Sequence, residues 1–239
     1  AIPTGGNGGY TYDWNNDSTT NSISTLAAGT YDVTVTDFLG CTGTQYVTLT
    51  DPPAISFNFI TSDFNGYDID CYGSSTGTIF ANVSGGANGI DNSSYDWSAA
   101  ADPGFTSGSA SLGGLSADVY TLDVLDNNGC PGSDNVTLVE PGQLALTPTN
   151  GITTCNGSSD GTVSVTAYNT GVGPYTYSWN DFNNQTTATA SGLVGDIGGV
   201  TYTVIVTDAN GCQETTQAAV YSPTVITTWF TDTIDVSCF

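Results

Sequence analysis

The sequence predicts an all-β chain, and three observations carry that reading. The first is repetition: an eleven-residue pattern recurs as Tyr31–Cys41, Tyr120–Cys130 and Tyr202–Cys212, each closing in Asp-x-x-Gly-Cys. The second is alternation. Tyr31, Val33 and Val35 interleave with Asp32, Thr34 and Thr36, the period of two that marks a half-buried strand, and Tyr120, Leu122, Val124 and Tyr202, Val204, Val206 repeat it. The third is an aromatic strand upstream of each pattern: Tyr10–Trp14, Ser94–Trp97 and Tyr175–Trp179. No stretch carries a convincing 3.6-residue period. About seven short strands per unit, one Trp on an early strand and one Tyr entering a late one, fit tandem immunoglobulin-like β-sandwiches in a head-to-tail rod.

Self-similarity fixes the organisation. Successive turn cysteines lie 89 and 82 residues apart, and Pro52, Pro141 and Pro223 each come eleven residues after one of them. Residues 1–53 therefore read as the C-terminal part of a first repeat, 54–141 and 142–223 as two complete repeats, and 224–239 as the start of a fourth. In chain order, a complete repeat opens with a strand ending in a cysteine loop, Cys71–Gly77 matching Cys155–Gly161. The aromatic strand comes next, and then the Tyr strand; Trp14, Trp97, Trp179, Tyr31, Tyr120 and Tyr202 are the expected core anchors. Asp-Phe-Leu-Gly, Asp-Asn-Asn-Gly and Asp-Ala-Asn-Gly turn the chain, since Asx side chains cap turns and Gly accepts positive φ. Returning strands are expected over 44–50, 133–139 and 214–220. Two irregularities stand out: residues 99–109 are inserted after the second Trp, and 193–202 are lengthened in the third repeat.

Composition excludes whole classes of function. The 239 residues include no Lys, Arg, His or Met, and 23 Asp and Glu give a formal charge of −23. Without His there is no Ser-His-Asp or Cys-His nucleophile and no imidazole metal site. Without Lys or Arg there is no P-loop lysine, no Schiff base, no arginine clamp and no counterion release from nucleic acid. Anionic headgroups repel such a chain, and no apolar run nears the ~20 residues of a membrane span, so neither nucleic acid nor direct membrane insertion is expected. Aromatic content of 11% and regular Val, Ile and Leu argue against disorder despite the charge. Six cysteines in a background of Thr, Ser, Asn and Gly point to an oxidising, extracytoplasmic compartment. The opening Ala and the register suggest a piece of a longer array. Carboxylate pairs suffice for glycoside hydrolysis, but these Asp residues recur at turns or scatter over edges, and the chain reads as non-enzymatic.

Gly8-Gly9-Tyr10-Thr11-Tyr12-Asp13-Trp14, succeeded by Leu26–Tyr31 and the run through Cys41, resembles the SprB-type repeat of Bacteroidota surface proteins. Pro174–Trp179 with Asp208–Cys212 carries the same likeness. The resemblance implies export by the type IX secretion system, display on the outer cell surface, and a long repetitive stalk of the kind found in gliding-motility adhesins. The function expected is a structural segment of a giant extracellular repeat adhesin forming a surface filament or stalk. Its partners would be neighbouring repeats, the export and motility machinery, and surface polysaccharide or abiotic surfaces. The alternative is a spacer in a secreted polysaccharide-degrading enzyme.

The cysteines form two classes, Cys71, Cys155 and Cys238 in first loops and Cys41, Cys130 and Cys212 after the turns. In an immunoglobulin-like sandwich those places lie a strand length apart, roughly 17–20 Å, beyond the ~4.4–6.8 Å Cα separation of a disulfide. A bond between repeats, Cys71 to Cys212, stands beside pairing within repeats, Cys71–Cys130 and Cys155–Cys212, as an open alternative. Asp13, Asn15 and Asp17 are spaced like part of a calcium loop, and Asp68 with Asp70 is similar, but neither has the closing Glu; solvated turn carboxylates are the simpler reading, with weak calcium stabilisation expected and no cofactor. Asp17-Ser18-Thr19 and Asp232-Thr233-Ile234 match a Bacteroidota O-glycosylation acceptor, marking Ser18 and Thr233.

Overall fold

The computed structural model describes residues 1–168 and 171–229. Thr233 and Cys238 lie outside the described residues. Regular structure is β throughout. The first three strands, β1 (Thr11–Trp14), β2 (Gly29–Thr36) and β3 (Thr42–Leu49), form one antiparallel sheet. The next six are β4 (Ser56–Thr61), β5 (Gly77–Ser84), β6 (Asp96–Ala99), β7 (Ser111–Leu115), β8 (Asp118–Leu125) and β9 (Pro131–Leu138). They make two sheets, ordered β4-β5-β7 and β6-β8-β9. The last seven are β10 (Leu146–Thr149), β11 (Gly151–Ile152), β12 (Gly161–Ala167), β13 (Thr176–Trp179), β14 (Thr189–Leu193), β15 (Val200–Thr207) and β16 (Gln213–Tyr221). They too make two sheets, β10-β12-β14 and β11-β16-β15-β13.

These orders are immunoglobulin-like. In each complete repeat the first, second and fourth long strands pair in one sheet and the Trp strand, Tyr strand and returning strand in the other, the arrangement of an Ig sandwich without its fourth-strand edge. The third repeat adds β11, which pairs parallel to the end of β16 through Gly151–Val220 and Ile152–Tyr221. The returning strands begin one or two residues before the alternation suggests, because the Asp turn itself starts the ladder, Asp208 N–H donating to Cys212 O at 3.0 Å.

The chain divides into two compact units. One comprises Ala1–Ser56, Val83–Asp91 and Leu125–Gly132, the other Phe57–Asn82, Asn92–Val124 and Ser133–Phe239. In the second unit alternation is converted directly into core. Val163 and Val165 of β12 pack with Trp179, Ala190, Leu193, Val204, Val206 and Val220, all buried. In the second repeat Ile79, Trp97, Leu122 and Val124 are buried, and Phe59 stacks tilted on Trp97 with ring centroids 5.7 Å apart. The insertion after Trp97 folds back, Trp97 N–H donating to Ser107 O at 2.9 Å, and sets Phe105 edge-on to Tyr120. In the first unit Val33 is buried, but the face of β2 lines an open groove of about 630 Å³ with Trp14, Tyr31, Val35, Tyr46 and Val47.

Candidate functional site

The most repeated local structure is the Asp-x-x-Gly-Cys turn, and its hydrogen bonds recur three times. Asp126 Oδ1 accepts the N–H groups of Asn128 and Cys130 at 2.9 and 2.8 Å. Asp208 Oδ1 does the same for Asn210 and Cys212, both at 2.9 Å, and Asp37 Oδ1 for Leu39 and Cys41 at 2.9 and 2.8 Å. The other carboxylate oxygen reaches a glycine-rich loop far upstream: Asn7 N–H for Asp37, Ala87 N–H for Asp126, Val172 N–H for Asp208. Asp126 and Asp208 are buried. Hydrogen bonding to the charged form lowers a carboxyl pKa. The Cys41 N–H, then that of Asn7, holds Asp37 below its ordinary value, and the Cys130 and Ala87 N–H groups do so for Asp126. Close approach requires glycine in the upstream loop: at Gly86, with φ +71°, an added Cβ would stand 2.6 Å from Asp126 Cβ. The sequence marked these Asp residues as turn caps only; the tie to the glycine loop is long-range and its spacing varies between repeats.

A second recurring structure is the first loop. Cys71 and Cys155 each open a turn closed from Ser74 and Ser158 N–H, at 3.0 and 3.1 Å. A carboxylate–hydroxyl staple spans each loop. Thr76 Oγ1 donates to Asp70 Oδ1 at 2.7 Å and accepts Asp70 N–H at 3.1 Å; in the third repeat Asp160 accepts both the hydroxyl and the N–H of Thr154. The hydroxyls of Ser74 and Thr76 hold the Asp70 carboxyl below its ordinary value, and the Thr154 hydroxyl and N–H lower Asp160.

Turn and loop meet within the second unit. A disulfide joins Cys71 to Cys212, with Cα atoms 5.7 Å apart and a sequence separation of 141. Asn210, two residues before Cys212, clamps the same joint: its amide donates to Asp70 O at 2.9 Å and Phe64 O at 3.2 Å, and its Oδ1 accepts from Asn65. Phe64 and Asn65 sit on a tight turn bridged Phe64–Tyr67. The bond links the first loop of the second repeat to the turn of the third, leaving Cys41, Cys130 and Cys155 unpaired and exposed. Neither the Phe64–Tyr67 turn nor Asn210 stood out in the sequence; the Asn-Gly pairs at 65–66 and 210–211 were the available signal.

The other residues singled out by sequence are mostly structural. Trp14, Trp97 and Trp179 are buried, and each indole N–H donates to a backbone carbonyl, of Thr20, Ser109 and Thr187, at 2.8–2.9 Å. Tyr120 and Tyr202 are buried and Tyr31 half-buried. Their hydroxyls donate upstream at 3.0 Å: Tyr31 to Ala27 O, Tyr120 to Ser116 O and, across the lengthened segment, Tyr202 to Val194 O, like the tyrosine corner of Ig sandwiches. Asp13, Asn15 and Asp17 are exposed, with the Asn15 amide donating to Thr30 O at 2.9 Å. Among the described residues no group of three or more Cys, Asp or Glu is placed to hold a metal ion. Asp68 accepts Val139 N–H at 2.9 Å, while Asp70 serves the staple. Ser18 is half-buried, its hydroxyl 3.0 Å from that of Thr20. No described helix is long and apolar enough to cross a membrane.

The family model described as SprB repeat matches residues 153–184. No curated protein matches the chain. Among solved structures, the chain is similar to the N-terminal eight Ig domains of Down Syndrome Cell Adhesion Molecule isoform 1.30.30, at 11% identity and TM-score 0.44, covering 90% of this chain and 33% of that one. It is also similar to protocadherin gamma B2 cadherin domains 3–6, at 11% identity and TM-score 0.29, covering 88% and 64%. Dimeric latent PorU from Porphyromonas gingivalis gives 13% identity and TM-score 0.26, covering 86% and 25%. The chain thus spans less than two thirds of each of these three structures. Its third repeat carries SprB-type sequence on an Ig-like sheet order.

Proposed function

We propose that this chain, which carries SprB-type repeat sequence, is a structural segment of a giant extracellular repeat adhesin. Its repeats stack head to tail as a filament or stalk that serves surface adhesion and gliding. The observation that supports this reading best is the Cys71–Cys212 bond, which ties the first loop of one sequence repeat to the turn of the next. Such a bond is suited to a chain under tension in an oxidising space outside the cytoplasm. The role is mechanical, not catalytic. Repeated indole and tyrosine hydroxyl tethers keep each sandwich in register, and 23 carboxylates without a Lys or Arg keep neighbouring filaments apart within the ~8 Å screening length.

Immunogold electron microscopy of source cells, with antibody raised to this segment, tests the proposal. Label along thin filaments extending beyond the outer membrane is the expected result. Label only in released soluble protein would overturn it in favour of an enzyme spacer.

A further inference from the structure

The returning strand recurs as β3, β9 and β16, and its outer edge is treated differently each time. β3 is the outer strand of the β1-β2-β3 sheet, and every one of its residues is exposed. Asp37 N–H donates to Cys41 O at 2.9 Å, and the ladder runs one-to-one from Thr36–Thr42 to Gly29–Leu49. Antiparallel bonding alternates along such a ladder. Gly43, Gln45, Val47 and Leu49 therefore bond to β2, while Thr42, Thr44, Tyr46 and Thr48 turn their N–H and C=O groups to the open edge. The third repeat has the same phase. Ala219 lies as far beyond its turn cysteine as Thr48 does, and its N–H points outward to Asn150 Oδ1 at 2.9 Å.

The other two edges are guarded. In β9, Pro131 has no N–H to offer at the place of Thr42, and Asp134 stands at the place of Gln45. β16 carries Glu214 near its start, and Asn150 with β11 occupies its end from Ala219 to Tyr221. Charge, proline and cover are the common protections against edge-to-edge pairing. β3, Thr-Gly-Thr-Gln-Tyr-Val-Thr-Leu, has no carboxylate and no proline in a chain of charge −23. A cover like that of β16 would reach only Thr48–Thr50, so Thr42, Thr44 and Tyr46 lie beyond it.

We propose that β3 is a self-pairing edge: it adds antiparallel to β3 of a second copy of this chain, about a two-fold axis at Gln45. Thr44 then stands opposite Tyr46 and Thr42 opposite Thr48, each pair exchanging both N–H···O bonds, and every outward backbone group is used. The two Gln45 side chains face each other as neutral amides, where Asp134 of β9 would set carboxylate against carboxylate. β3 is already ordered by its ladder to β2 and by hydroxyl pairs of Thr44 with Thr34 and Thr48 with Thr30, at 3.2 and 3.0 Å. Pairing therefore has little chain left to order. Carboxylates elsewhere repel the second copy, so the pairing tightens as salt screens them. The inference goes beyond the proposed stalk and is read from purified protein, wherever that protein is displayed.

The test uses the full chain with Cys41, Cys130, Cys155 and Cys238 replaced by Ser, so that no free thiol links two copies. Sedimentation velocity should show a reversible monomer–dimer equilibrium that moves toward dimer with added NaCl. Gln45→Asp should weaken it about tenfold, from two carboxylates ~5 Å apart across the axis. Thr215→Asp, the same added charge on β16, should leave it unchanged. Thr44→Pro should abolish the dimer while keeping the fold, because that N–H faces away from β2; an unchanged urea midpoint checks this. Gln45→Cys, incubated with oxidised glutathione, should cross-link to its own counterpart, since non-hydrogen-bonded pairs bring Cα atoms to ~4.5 Å. A chain that sediments as a monomer at about 1 mM overturns the proposal. So does a dimer that Thr44→Pro leaves intact, that Thr215→Asp weakens as much as Gln45→Asp does, or that Gln45→Cys fails to cross-link.

Discussion

The Cys71 and Cys155 loops are two solutions to one local problem. In the second repeat the carboxylate precedes the cysteine and the hydroxyl lies six residues on, Asp70 with Thr76; in the third the order is exchanged, Thr154 with Asp160. The staple needs one acceptor facing one hydroxyl and is indifferent to which strand end supplies which. The surroundings of the two loops differ more. The second repeat adds the Phe64–Tyr67 turn, whose carbonyl and Asn65 grip Asn210, and its loop is cross-linked. The third has β11 along β16 instead, and its cysteine is exposed. Loop architecture and cross-linking are therefore separable: the loop presents the sulfur, and a docked turn decides whether it is bonded.

Breaking the bond should separate the two loops most. Cys212→Ser leaves the Cys71 loop in the unlinked condition of its counterpart and should cost roughly 2–4 kcal/mol, given the long closed loop, as read from the urea midpoint of the oxidised protein. Cys155→Ser should leave that midpoint unchanged. Next in size is a change that treats both loops alike. Gly77 and Gly161 end them, and a Cβ there would meet Leu115 O and Leu193 O, each at 2.9 Å, with Ile69 or Val220 methyls closer still. Ala at either should cost about 1–3 kcal/mol by overpacking, and equal losses would confirm that the two loops pack alike. Asn210→Ala should cost less, about 1 kcal/mol for its shared hydrogen bonds, with the disulfide intact in a peptide map. Loss of the bond in that variant would mean that the clamp forms the joint rather than trimming it.

The smallest effect is a pH dependence, read as a difference so that general relief of charge repulsion cancels. Asp70, Asp126 and Asp160 are each held below the ordinary 3.8 by hydrogen bonds to their charged forms. A folded-state value below the unfolded one gives stability that is present above 3.8 and lost as pH falls through the lower folded value. The chain should thus be more stable than Asp126→Asn at neutral pH, with the gap closing below 3.8. Asp70→Asn and Asp160→Asn should show the same sign. A gap that persisted at about pH 2, well below the unfolded pKa, would assign the effect to packing of the amide rather than to charge.

Local pattern made the strands legible. Trp97, Trp179, Tyr120 and Tyr202 could be placed because alternation and repetition both act over a few residues. The same signals missed the second oxygen of each turn Asp, whose partners Asn7, Ala87 and Val172 lie at unequal distances from it in sequence. They also missed β11, two residues long with a parallel partner, and the Asp70/Thr76 exchange, where identity at each position changes while the bond survives. Tyr31 shares its motif with Tyr120 and Tyr202 yet is only half-buried, because its sheet face opens on the groove beside β3 rather than on packed side chains. A strand pattern reports that a face is apolar, not what covers it.

The Cys71–Cys212 bond also reroutes extension. A pull applied before Cys71 and after Cys212 crosses directly between Cα atoms 5.7 Å apart, and the intervening residues 72–211, which contain β5 to β15, lie off that path. At ~3.3–3.6 Å per extended residue, on the order of 480 Å of contour length is locked away until the sulfur–sulfur bond breaks. Even with both sandwiches unravelled, the tether would lengthen only by its unenclosed ends, so its reach is governed by thiol–disulfide chemistry rather than by the folding equilibrium of the sheets.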